Sequence, residues 1–406
     1  LQVACALALR IRVCGASKIR PILAGQRTQA WRAPCNDRIG NHFCSMTHSS
    51  LAQASQPQVS TAVRALHDRI FTLDSHIDIP WPDERNAFLD TPNRRVDLPK
   101  MQQGGMSAGC FVAYIGQGPT TAEAHAQAQA QCLAMLDVIN QMQGSHNGIT
   151  ARVCPTVEQM LAAHAAGALV VVPAVENGYG MGDDPALLAQ FRAKGARYVT
   201  LTHNGHNVLA DAAIHRPSLG DKPQNHGGLS ALGREAIAHM NRLGMVVDVS
   251  HSSKLTMMQA AAVSCTPIVA SHSCVRTLCD HPRNLDDEQL DALKDCGGVI
   301  QITAMPAFLK PKPDEGKRTA NVADFVDHID YVVQRLGPAY VGISSDFDGG
   351  GAIEGWENAT QGVNLTAELM RRGYDESEIA AFWGGNFLRV LKKAEEVAEQ
   401  TADVLA

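Results

Sequence analysis

The chain has 406 residues, longer than one average domain, yet a β/α barrel with insertions absorbs that length around a single core. Its 45% hydrophobic and 19% charged residues fit a globular protein, not a disordered or fibrous one. A net charge of -6 with no long basic run argues against a nucleic-acid partner, and no apolar stretch is long enough to span a bilayer.

The first 45 residues carry seven Lys or Arg against one acid, Asp37, which leaves the remainder of the chain at -12. Residues 1–60 are therefore expected to be an N-terminal extension, disordered or outside the fold. The short apolar stretch 3–9 runs into Arg10 and Arg12, the wrong order for a secretory signal. Translated sequence upstream of a start at Met46 is the favoured reading, with a transit peptide as the alternative. Four Cys crowd this segment, and the seven in the body show no CxxC pair. That scatter fits a reducing compartment, so the expected location is the cytoplasm, with the periplasm or secretion as alternatives. The C-terminal run lacks the apolar tail of a lipid anchor.

From residue 71 the chain alternates β-branched runs with amphipathic stretches. Strands are predicted over 71–78, 107–115, 169–176, 198–203, 245–251, 267–272, 299–303 and 340–346. Helices are predicted over 121–143, 185–194, 229–243, 286–295 and 322–336. Eight βα repeats with near-continuous apolar strands predict an α/β fold, a (β/α)8 TIM-type barrel spanning 61–406. An open doubly wound sheet is the alternative, disfavoured because no Gly-rich phosphate fingerprint follows the first strand. The polar, Gly- and Pro-dotted run 204–228 reads as a long loop over the catalytic end. From about Asn364, two or three additional C-terminal helices are expected on the outside.

Polar residues gather where such a barrel builds its active site, at the C-terminal ends of strands. They are His76, Asp78, Glu176, His203, His251, His272 and Asp346. Burying so many ionisable groups at one rim without a metal would be costly. By contrast His125, His164 and His239 lie in Ala-rich helical stretches and are read as packed or solvated. His76 and Asp78 stand two apart on one strand, so they share a face and can grip one ion. His251 and His272 end consecutive strands and can hold a second, with Glu176 bridging the pair. Such a donor set suits zinc or a similar borderline metal, with the ions about 3.5–4 Å apart.

The segments DSHIDIP, AVEN, TLTHNGHN, GLSALGREAIAHMNRLGMVVDVSHSS, PIVASHS followed by HPRN, and GISSDFDG carry a resemblance. In their order and spacing, over residues 71–394, the chain resembles the membrane dipeptidase (renal dipeptidase) family of metal-dependent amidohydrolases. The resemblance implies two Zn2+ per subunit and hydrolysis of dipeptides by a hydroxide bridging the metals. His76, Asp78 and Glu176 would bind one zinc, and Glu176, His251 and His272 the other. His203 would contact the substrate and stabilise the oxyanion. Arg283 would pair with the terminal carboxylate, its structural alternative being an ion pair with Asp286 or Asp287. Asp346 would contact the amino end and move a proton. A homodimer is also implied. Asn177 stands where the family commonly has Gly, and Ile77 where it often has Asn. Two other functions compete: an amidohydrolase acting on a lactam, another non-peptide amide or a biosynthetic intermediate, and a non-catalytic metal-binding barrel. The latter would show missing ligands, and all five are present.

Overall fold

The computed structural model describes residues 59–82, 86–313 and 319–405. The expected N-terminal extension lies, as far as residue 58, outside the described residues.

Eight parallel strands form the wall: β1 (Leu73–Asp78), β2 (Ala108–Tyr114), β5 (Leu169–Glu176), β6 (Tyr198–Thr200), β7 (Val246–Asp248), β8 (Val269–Ser273), β9 (Val299–Thr303) and β10 (Val341–Ser344), adjacent in that order. The ends of the sheet meet where the Asp346 amide donates to the His76 carbonyl (3.1 Å) and the Asp78 amide to the Phe347 carbonyl (3.0 Å). This seam makes a nearly closed barrel and sets aside the open sheet. Strand β5 shows why the strands read as unbroken apolar runs. Val170, Val172 and Ala174 turn to the barrel interior, while Val171 and Val175 pack under the outer helices. Burial on both faces requires hydrophobicity at every position.

Three strands stop short of the polar residue predicted to end them. β6, β7 and β10 stop before His203, His251 and Asp346, which stand in the loops just beyond. The cause is local: His251 and Asp346 have φ of 63° and 58°, a left-handed backbone that no strand accommodates. A hairpin was not anticipated: β3 (Gly144–His146) pairs antiparallel with β4 (Ile149–Val153), which extends the sheet beside β5.

The predicted helices are present as Ala122–Asn140, Leu187–Ala193, Ala231–Arg242, Asp287–Asp295 and Val322–Leu336. Capping boxes at Asp286 with Gln289 and at Asn321 with Asp324 fix two of their starts. Besides the four-residue Pro306–Leu309, four helices escaped the periodicity reading: Thr61–Arg69, Leu98–Gly104, Val157–Ala165 and Lys254–Val263. Each opens on a side-chain cap, from Ser60, Asp97, Thr156 and Ser253.

Helices Val363–Arg371, Glu376–Ala380 and Asn386–Leu405 follow the barrel. The last does not lie on the outside as expected. It crosses the N-terminal mouth, where Phe387, Val390, Leu391 and Ala394 join the apolar cluster of inward-facing Leu73, Val170, Val246, Val269 and Val299. Asn386 donates to the carbonyls of Pro338 and Val341 at the foot of β10 (2.7 and 2.8 Å). Glu395 accepts from the buried Arg197 (3.1 Å) and from the Val157 amide (3.0 Å). The aliphatic strand feet need cover from water, and this amphipathic helix supplies it. No described helix is long and apolar enough to cross a membrane.

Candidate metal centre

At the opposite mouth a cavity of about 420 Å³ is lined by Asp78, Glu176, His203, His251, His272, Arg283 and Asp346 together. His76 lies beneath them, fully buried. Residues far apart in the chain thus converge because each ends a wall strand or stands in the loop that follows one.

Glu176 is the hub. Its Oε1 lies 3.1 Å from His251 Nε2 and 3.4 Å from His272 Nε2, and its Oε2 lies 3.4 Å from His76 Nε2. Two groups share it, each with ligand atoms within 4.8 Å of one another: His76, Glu176 and His272, and Glu176, His203 and His251. Glu176 is common to both, as a bridge would be, but the imidazoles divide differently from the expected sets. His272 stands beside His76, with ring centroids 3.8 Å apart, and His203 stands beside His251 at 4.1 Å. Asp78 falls outside these two groups and lies against Gly349 together with Asp346. Ile77, one of the two departures from the family pattern, turns into the outer core.

The remaining ring nitrogens bear on whether a cation fits. His251 Nδ1 meets Asn204 Oδ1 at 3.1 Å, His272 Nδ1 meets Ser271 Oγ at 2.8 Å, and His76 Nδ1 meets the Tyr198 hydroxyl at 3.2 Å. Asn204 Oδ1 can only accept, and the Tyr198 hydroxyl proton goes to the Ser75 carbonyl (2.8 Å). With acceptors at Nδ1, these imidazoles can present Nε2 lone pairs to the hub, as metal-binding histidines do. His76 Nε2 and Asp78 Oδ1 are buried without a hydrogen bond. A divalent cation would satisfy both, and the donor set suits one.

The electrostatics agree. Burial would raise the Glu176 carboxyl, but the His76 charge and the close approach of three imidazoles hold it well below the usual range. Asp78 is pushed well up by burial and by the Glu176 charge. Asp346 is pushed up to about 7, chiefly by burial. Burial drives His251 and His272 well down, helped by Arg283 and His203 at the first and by His76 at the second. Burial would lower His76, but the Glu176 charge beside it raises it to about 9. Without a cation, His76 thus supplies the positive charge that balances Glu176, while Asp78 and Asp346 are held neutral and His251 and His272 unprotonated; a bound cation would take over that charge.

Arg283 is fully buried in this wall. Its ion pair with Asp286 or Asp287 does not form: Asp286 meets Lys254 (2.7 Å) and Asp287 meets Arg335 (2.9 Å). Its Nη2 reaches the His272 carbonyl at 3.4 Å, while Nε and Nη1 have no hydrogen-bond partner. Asn177, the other departure, has φ of 79°, which explains why glycine suits the position. Its amide is fully used, donating to the Ile115 carbonyl (2.9 Å) and accepting from Asn207 (3.0 Å).

Sequence reasoning missed Tyr114, Asn204, Ile214, Met305 and Phe308 as lining residues. Tyr114 alone left a signal, being the polar residue that ends β2. Of the histidines set aside, His125 packs edge-on to Tyr179 and His164 to Phe71.

Against this geometry, the family model for membrane dipeptidase (peptidase family M19) matches residues 60–404. The chain belongs to the membrane dipeptidase family. It is an M19 metallopeptidase by fold and by sequence. It is 31% identical to a dipeptidase of Aspergillus oryzae over 77% of this chain and 72% of that one. Among solved structures, a probable dipeptidase from Pseudomonas aeruginosa superposes with a TM-score of 0.78 at 30% identity, covering 84% of this chain and 99% of that one. A metallopeptidase from Rhodobacter sphaeroides, bound to a phosphinate mimic of L-Ala-D-Ala, gives a TM-score of 0.70 at 25% identity over 80% and 99%.

Proposed function

We propose that this protein hydrolyses the peptide bond of dipeptides with two divalent cations, zinc by donor chemistry, held by His76, Asp78, Glu176, His251 and His272. The reading is carried by one observation: three imidazole Nε2 atoms face one buried carboxylate, with an unpaired arginine in the same wall. When bound, the cations would activate water and polarise the scissile carbonyl.

This chain's residues would do the rest. Arg283 would receive the substrate's terminal carboxylate, since a planar guanidinium fits it in two parallel bonds. That limits the distance from scissile bond to chain end and so favours dipeptides over longer peptides. His203 would donate from Nε2 to the developing oxyanion, its Nδ1 taking the Tyr114 hydroxyl proton across 3.4 Å. Asp346, beside Asp78 against Gly349, would hold the amino end and pass a proton to the leaving nitrogen. The cavity of about 420 Å³ is of a size for a small ligand.

Metal analysis of the purified protein, with a panel of dipeptides assayed before and after chelation, tests the reading. The expected result is bound zinc and dipeptide cleavage that chelation removes and zinc restores. Full activity after complete metal removal would overturn it, and cleavage of a cyclic amide in preference to every dipeptide would move the substrate class.

A further inference from the structure

Beneath the imidazoles lies a second buried carboxylate that the proposed chemistry does not use. Asp248 ends β7 with no exposed surface. All four of its hydrogen-bond donors are neutral. The amides of Ser250 and Ser271 donate to Oδ1 (3.0 and 2.9 Å), and the hydroxyls of Thr200 and Ser271 to Oδ2 (2.5 and 2.6 Å). A carboxyl group in a barrel interior, where aliphatic side chains normally pack, is costly to bury even when fully hydrogen-bonded.

We infer that Asp248 is a positioning residue, acting through Ser271 to hold His272 with its Nε2 lone pair turned toward Glu176. Proton counting gives the direction. Ser271 has one hydroxyl proton, and the bond to the Asp248 carboxylate is far shorter than its 3.4 Å approach to Ser250 Oγ. Its oxygen is therefore left as an acceptor, 2.8 Å from His272 Nδ1, so that nitrogen carries the proton and Nε2 does not. The same oxygen lies 3.4 Å from His76 Nδ1, so one hydroxyl stands under two imidazoles. The His272 main chain is pinned as well, its amide donating to Ser250 Oγ at 3.0 Å. Carboxylate, serine and imidazole thus form a relay of orientation that fixes the ring and strengthens it as a donor. The inference rests on the proposed role of His272 as a ligand and deepens it.

The competing explanation is that Asp248 merely ties β6, β7 and β8 together. Thr200 shares that tie and touches no imidazole in these bonds, so it separates the two. Zinc affinity is measured by chelator competition for the wild type, Ser271→Ala, Asp248→Asn and Thr200→Val. Thermal unfolding of the metal-free proteins checks folding, and cobalt(II) absorption spectra report the ligand field. Ser271→Ala removes the acceptor at Nδ1. In Asp248→Asn the amide nitrogen can face Ser271 and turn its proton toward His272, favouring the wrong tautomer. Both should weaken zinc binding about 10–100-fold, shift the cobalt spectrum, and lower kcat more than they raise KM. Thr200→Val should bind zinc as the wild type does. A folded Ser271→Ala protein with wild-type affinity and spectrum overturns the inference, as does an equal loss in Thr200→Val. If Asp248→Asn does not fold, Ser271→Ala decides alone. A wild type that binds no zinc refutes the metal reading itself, an outcome distinct from wild-type binding that Ser271→Ala leaves intact.

Discussion

The guanidinium carbon of Arg283 sits 5.2 Å from the centroid of the Phe308 ring, stacked on a face instead of paired with an acid. Stacking holds the planar group in place and leaves its buried N–H edge for an incoming anion. Arg283→Ala should cut kcat/KM for dipeptides with a free C-terminal carboxylate by about 2–5 kcal/mol of binding, the usual loss for one partner of a buried charge pair. Amidated dipeptides should change little. Kinetics on matched acid and amide substrates provide the check, and equal losses on both would remove the assigned role.

Glu176 is approached by three imidazoles, at 3.1, 3.4 and 3.4 Å. Glu176→Gln keeps the shape, removes the charge, and turns an N–H2 toward at least one Nε2. Metal content should fall, and turnover should drop by about 10²–10³-fold or more. Elemental analysis beside a steady-state assay reads both. Retention of full metal with normal rates would show that the hub lies elsewhere.

Burial pushes Asp346 up to about 7 from its ordinary value of 3.8. Between those limits the folded, metal-free protein holds a proton that the unfolded chain releases. The stability this implies is therefore present at pH 4 and is lost as pH rises toward 7. Asp346→Asn should match the wild type at pH 4 and be the more stable of the two at pH 8, both measured without metal. Melting temperatures at the two pH values decide it, and a difference of opposite sign would contradict the burial argument.

The Arg197–Glu395 pair joins the foot of β6 to the last helix, with Arg197 fully buried. Glu395→Ala would strand that cation and should cost about 3–5 kcal/mol of stability. The site lies at the other mouth, so KM for a dipeptide should stay near the wild-type value in protein that remains folded. Chemical denaturation and Michaelis kinetics together test the separation of scaffold from chemistry.

All eight wall strands were legible because burial on two faces forces unbroken apolar runs, as in β5. Their ends were less so. His203, His251 and Asp346 read as strand residues, but a left-handed backbone at two of them is a tertiary demand that hydrophobic patterning does not encode. The β3–β4 hairpin left a faint signal in Asn147-Gly148, whose φ of 50° and 78° fit a tight hairpin turn, but its strands are too short to show alternation. Candidate ligands were found because each polar residue interrupts an apolar strand at one end. How the imidazoles pair around Glu176 depends on strand stagger and could not be read from spacing. Phe308 lies in the helix Pro306–Leu309, too short for a hydrophobic period to show.

Among the described residues, the helix over Asn386–Leu405 stoppers the lower mouth and side chains fill the lumen above it, which leaves the upper mouth as the doorway. Reactants must arrive, and both amino acids must depart, past the same ring of loops. With the proposed clamp, the freed amino acid that retains its carboxylate on Arg283 would obstruct the next arrival, so competitive inhibition by that product is expected.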